Sequence, residues 1–161
     1  MRTERWPSDW QVRLIQFLAV PGLLIAFYLL LYHRGDLVNV CRPSGWDDCG
    51  KVSGPDAPYS AFGPIPVALI GLVGYALIFV VTWLKDWWSL LDDYSPEIVV
   101  ALTGFAFLFS LGLTGLELFV IGAICRFCLL SALTITVMFF LSVSYLRAVN
   151  RTQEIPDGEE D

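Results

Sequence analysis

The run IVVALTGFAFLFSLGLTGLELFVIGAICRFCLLSALTITVMFFLSVSYL, residues 98–146, carries only two ionisable acids or bases, Glu117 and Arg126. As one straight helix it would reach roughly 70 Å at 1.5 Å per residue, more than two bilayer cores. It must fold back on itself, and Gly112, Gly115 and Gly122 around Glu117 mark the expected turn. Two spans result, about 98–116 and 125–146. Working outward, residues 66–84 and 14–32, the latter interrupted only by Gln16, supply two more apolar stretches of bilayer-crossing length. The sequence therefore predicts an all-α integral membrane protein. Its form is a four-transmembrane-helix bundle with a long extracytoplasmic loop, 33–65, between helices 1 and 2.

Composition agrees. Of 161 residues, 56% are hydrophobic and 16% charged, with a mean hydropathy of +0.63. A soluble domain carries about 45–50% apolar and about 25% charged residues, and small domains hide the least of their surface. A water-soluble globule, a disordered chain and a nucleic-acid binder are thereby excluded, and membrane lipid becomes the first partner. The net charge of −6 is concentrated in Glu154, Asp157, Glu159, Glu160 and Asp161. The organisation expected is a membrane domain over 1–151 and an acidic disordered tail over 152–161.

The first apolar stretch is too long for a signal-peptide core and has no Ala-x-Ala-like site before His33-Arg34, so it reads as a permanent span. Six Lys and Arg (Arg2, Arg5, Arg13, Lys85, Arg147, Arg151) fall on the side of the termini and four (Arg34, Arg42, Lys51, Arg126) on the other. The positive-inside rule then places both termini in the cytoplasm, in an integral plasma-membrane protein. Trp6, Trp10, Trp83, Trp87, Trp88 and Tyr94 form the matching interfacial belt. Pro21-Gly22 is expected to kink the first span. Gly71, Gly74, Gly112 and Gly115 are expected to let helices approach closely. The outer loop, rich in Gly, Pro, Ser and Asp, predicts turns and one short helix.

Four cysteines fall in two pairs, Cys41-x7-Cys49 in the loop and Cys125-x2-Cys128 at the start of the fourth span. Separately each has a plain reading: a static loop disulfide, and ordinary buried cysteines. A zinc site would need two close pairs in water-accessible loops, and the one histidine, His33, sits at an interface; no metal is expected. Together the pairs are more specific. A Cys-x-x-Cys at a helix N-terminus meets the positive end of the helix dipole, and Arg126 adds positive charge. Cys128 lies one turn deeper, facing the bundle, while Cys125 faces the aqueous edge. A loop dithiol directly above can exchange disulfides with this pair. The chain has no haem ligand set, iron–sulfur spacing or dinucleotide fingerprint. By elimination the acceptor is a lipid-soluble quinone.

With Cys41/Cys49, the stretch PYSAFGPIPVALIG (58–71) and GAICRFCLLSA (122–132) in place, the chain resembles the vitamin K epoxide reductase family over about residues 14–146. The loop pair comes first and the Cys-x-x-Cys last, the reverse of DsbB-type oxidases. The resemblance implies a quinone-dependent thiol-disulfide oxidoreductase supporting disulfide-bond formation. Cys41 would accept electrons from a partner's thiol, Cys49 would form a mixed disulfide with Cys125, and Cys128 would act on a quinone of ubiquinone, menaquinone or vitamin K type. Phe62 and Tyr59 would border that quinone. Many members are fused to a thioredoxin-like domain; about fifteen residues follow the last span here, so a separate thioredoxin-like (DsbA-like) extracytoplasmic protein is expected.

Two departures bear on substrate. The family's serine or threonine after the second loop cysteine aligns with Ala57, leaving Ser53 or Ser60 to stand in. The vertebrate tyrosine and asparagine tied to vitamin K binding correspond to Ala132 and Tyr59. Quinone reduction is thus implied more directly than epoxide reduction. The competing class is a non-catalytic four-helix subunit or small transporter with a structural loop disulfide. Intramembrane ionisable residues usually mark transport paths, and this chain has only Glu117, expected at the interface with proton delivery as its functional alternative, and Arg126.

Overall fold

The computed structural model describes residues 6–37, 47–85, 87 and 89–154, with side chains over 10–37, 47–85, 87 and 94–151. Cys41 and the terminal acids at 157–161 lie outside the described residues. Helix α1 runs Trp6–His33, the short α2 Cys49–Ser53, α3 Val67–Leu84, α4 Ser89–Leu116 and α5 Arg126–Glu154. Among the described residues, four helices are long and apolar enough to cross a membrane: Trp10–His33, Val67–Leu84, Tyr94–Ile121 and Arg126–Arg151. Three of these extend past the expected limits. α5 also continues three residues into the segment expected as tail, because a helix carries its polar ends beyond the hydrocarbon.

Both faces of these helices are apolar. Ile15, Ala19 and Ala26 of α1 meet Tyr75 and Ile78 of α3, Val99 of α4, and Ile135 and Met138 of α5 in the buried core. Phe17, Leu24, Phe105, Leu108 and Phe140 point outward, with Phe17 75% exposed. A helix apolar all round belongs in lipid. Hydroxyls join helices from within: Thr103 Oγ1 lies 2.8 Å from Ser142 Oγ, and the Tyr75 hydroxyl donates to the Ser131 carbonyl at 3.0 Å. Such bonds hold membrane helices together where the hydrophobic effect cannot.

α1 continues unbroken through Pro21. The close helix approach falls at Gly22, not at the four glycines expected. A Cβ there would stand 2.3 Å from Cε1 of Tyr75, whereas nothing lies within 4 Å of one built on Gly74, Gly112 or Gly115, and Gly71 meets Ala26 at an ordinary 3.9 Å. The turn is also later than expected. α4 passes through Gly112 and Gly115, adds a π-helical turn, Glu117–Ile121, and breaks at Gly122 with φ 65°. One left-handed residue suffices to reverse the chain, and glycine adopts it without strain.

Trp10, Trp83, Trp87 and Tyr94 are more than half exposed where α1 and α4 begin and α3 ends. Lys85 is buried there, its ammonium 5.5 Å from the centroid of the Tyr145 ring. At the opposite end, α2 forms as the sequence anticipates. A two-residue antiparallel hairpin, β1 (Ala61–Phe62) and β2 (Ile65–Pro66), turns at Gly63 and leads into α3.

Candidate active site

The end of the bundle opposite the tryptophans collects the three described cysteines, Cys49, Cys125 and Cys128. Asp47 forms an isolated parallel bridge with Ile124, and the Asp48 N–H donates to the Ile124 carbonyl at 3.2 Å. An ion pair between Arg126 and Asp47 closes the same junction, with Arg126 Nε 2.7 Å from Asp47 Oδ2. Asp48 caps α2, accepting from the Gly50 and Lys51 N–H groups at 3.0 and 3.2 Å. Anchored this way, α2 lays Cys49 and Val52 over Leu29, Ala123 and Cys125 in one buried cluster, with Cys128 against it. Cys49 is disulfide-bonded, while Cys125 and Cys128 are free thiols.

Cys125 does not face an aqueous edge: it is fully buried, because α2 covers it. Arg126 does not lend its charge to the dithiol alone, since Asp47 pairs with it.

The sulfurs are held by a small set of donors. The Cys128 N–H donates to Cys125 Sγ at 3.3 Å, as expected for the residue preceding a helix. Ser53 Oγ lies 3.4 Å from Cys128 Sγ and donates to Cys125 Sγ at 3.9 Å. Of the two candidate stand-ins, Ser53 therefore meets the sulfurs, whereas Ser60 donates to the Ala57 carbonyl at 2.7 Å. The hydrogen bond from the Cys128 thiol holds the Cys125 thiol below its ordinary value. The Cys128 N–H and Ser53 add to this, while burial and the nearby Glu117 oppose it.

Glu117 is not at an interface. It is 6% exposed, and its Oε2 accepts the Cys125 N–H at 3.2 Å. The π-helical turn brings it there, by carrying the carboxylate back beneath the start of α5.

Beside the dithiol lies a mostly apolar cavity of about 170 Å³ between α1, α3, α4 and α5. Its reacting end carries Cys128, Ser53, Glu117, His33 and Tyr59. Gly71, Gly74, Phe105, Phe109, Ser131 and Ile135 line the remainder. His33 contributes a buried Nδ1 with no hydrogen-bond partner among the described residues, and such an orphan inside an apolar cavity suits a ligand oxygen. An apolar slot with one orphaned ring nitrogen and one thiol fits a flat ring bearing carbonyls and a greasy tail. Of the positions carried over for such a ring, Tyr59 lines the cavity. Phe62 and Ala132 are not among its lining residues. Phe62 is turned outward at 55% exposure, its ring centroid 6.3 Å from that of Phe109, which lines the cavity. Ala132 adjoins Cys128 and Ile135 along α5, about one helical turn from each. His33 and Ser131 were not singled out as site residues by sequence; their placement depends on which face of a wholly apolar bundle turns inward. Among the described residues no group of three metal-ligating side chains gathers.

A four-helix membrane bundle with a buried dithiol beside an apolar cavity defines a membrane thiol oxidoreductase of the quinone or epoxide type. Comparison with known families bears this out. The chain matches the vitamin K epoxide reductase family over residues 13–143 and belongs to that family. It is accordingly an integral membrane oxidoreductase, of a family that uses quinones. A comparison with curated proteins returned no match.

Proposed function

We propose that this protein is a thiol:quinone oxidoreductase that draws electrons from a secreted thioredoxin-like protein and delivers them to a membrane quinone, sustaining disulfide formation outside the membrane. The observation that carries this reading is the position of Cys128, which touches Cys49's buried cluster on one side and the apolar cavity on the other.

In this reading Cys41 takes electrons from the partner's thiol, and Cys49 passes them to Cys125 through a mixed disulfide. In that step the Cys49 thiolate attacks Cys125 of the Cys125–Cys128 disulfide and expels Cys128; Cys41 then resolves the mixed disulfide, and the low-lying Cys125 thiol makes Cys125 a good leaving group. Cys128 then hands the pair to the ring. His33 and Tyr59 hold and orient the ring's oxygen-bearing end, and the apolar walls keep water from the sulfur. The excess of Lys and Arg on the terminal side supports cytoplasmic termini and an extracytoplasmic redox loop.

Mass-tag trapping of free thiols in membranes tests the reading. With quinone present the four cysteines should be largely oxidised, and in quinone-depleted membranes reduced. Cys128→Ser should abolish turnover and leave Cys41 and Cys49 reduced in the presence of the reduced partner. Cysteines that stay reduced in quinone-replete membranes, or a Cys128→Ser variant with normal turnover, would sink it.

A further inference from the structure

Glu117 is the buried acid that this electron path leaves unused. A carboxyl group 6% exposed inside a membrane bundle is costly unless it has a task or a partner. Its backbone partner, the Cys125 N–H at 3.2 Å, would be satisfied equally by any neutral acceptor. The carboxyl nevertheless interacts with the Cys128 thiol and lines the cavity together with Cys128 and Ser53. It thus shares the cavity wall with the sulfur that must lose a proton and borders the space in which a ring oxygen must gain one.

We propose that Glu117 is the proton carrier between the Cys125/Cys128 dithiol and the quinone oxygen. The proposal rests on the reading that Cys128 reduces a quinone.

Two electrons leave the two sulfurs, and the Cys125–Cys128 disulfide forms. As the Cys128 S–H bond breaks, its proton replaces the one Glu117 gives to the ring oxygen. The second proton comes from water and equals the one Cys125 released on becoming a thiolate. Nothing beyond dithiol, quinone and water is required. Charge crowding favours a protonated starting state: a thiolate at Cys125 and a carboxylate at Glu117 would place two negative charges side by side in a low-dielectric pocket. The other ionisable groups around the pair are Tyr32 of α1, whose ring senses Cys125, the Asp47–Arg126 ion pair, Asp48 at the start of α2, and His33 and Tyr59 at the cavity.

Glu117→Gln decides the matter, because glutamine keeps an acceptor for the Cys125 N–H but cannot carry a proton. Quinol formation should slow about a hundredfold, the scale of general acid–base catalysis, while exchange between the loop disulfide and the Cys-x-x-Cys is not slowed. Quinol formation within twofold of wild type would overturn the carrier role. So would equal slowing of both steps, which marks a structural defect. A second readout needs no quinone and no variant. The infrared spectrum of the dithiol form, in wild-type protein with isotope-labelled glutamate, should contain a protonated-carboxyl stretch at neutral pH. Its absence would overturn the role even if Glu117→Gln failed to fold. Failure here leaves Cys128→Ser inactive, whereas failure of the underlying reading leaves Cys128→Ser active.

Discussion

Cys125 shows how one residue's environment can be read as chemistry. Its sulfur is fully buried yet receives the Cys128 N–H at 3.3 Å and a longer bond from Ser53. Hydrogen bonding to the charged form outweighs burial, so the thiol ionises below its ordinary value. In a variant with Cys41 and Cys49 replaced by serine, thiolate absorbance should report that lowered midpoint. Cys128→Ala should raise it, since the N–H remains and the thiol donor is gone; an unmoved midpoint would contradict the assignment. A folded-state value below the unfolded one contributes stability that is complete above the unfolded thiol's value and is lost as pH falls through the folded one. Ser53→Ala removes one weak bond, worth about 1 kcal/mol net. It should slow quinol formation by about threefold to tenfold in steady-state assays.

Among the elements, α1 and α3 meet at a contact that one atom would disturb. The Tyr75 ring fills the space above Gly22 and holds its hydroxyl on Ser131 of α5 at 2.9–3.0 Å, so it cannot swing aside freely. Gly22→Ala should destabilise the protein by about 1–3 kcal/mol, the usual cost of overpacking, read as a lower Tm in detergent. Pairing it with Tyr75→Ala should cost less than the two changes summed. The helices themselves were legible because runs such as 98–146 permit no soluble alternative. Which glycine makes the close contact was not, since spacing along one helix does not say what faces it. The π-helical turn was equally hidden. Gly122 was among the candidates for the reversal, but extending the helix through Gly112 and Gly115 is decided by packing against α5. That extension is what moves Glu117 from a supposed interface into the site. Likewise the pairing of Asp47 with Arg126 joins residues far apart in the chain, and no local pattern announces it.

For the molecule as a whole, the cysteine spacing and the order of the two pairs made the family and the four-span bundle legible. The substrate cavity was not, because its walls are as apolar as the lipid-facing surface and only the fold tells them apart. Charge distribution governs how the bundle sits in the bilayer. A reporter that fluoresces only in the cytoplasm, fused after Arg151, should be bright, and a secreted phosphatase fused there should be inactive. The reverse pattern would invert the orientation and place the cysteine end in a reducing compartment.

The lid that α2 forms over Cys125 has a further consequence. No freely diffusing thiol, glutathione included, can reach that sulfur without prising the short helix from Ile124 and Arg126. Only a neighbour tethered to the same polypeptide, such as Cys49, is already in place. In the proposed relay the wiring is insulated at its middle contact, so that reducing equivalents would enter at one terminal and leave at the other without short-circuiting into the surrounding thiol pool.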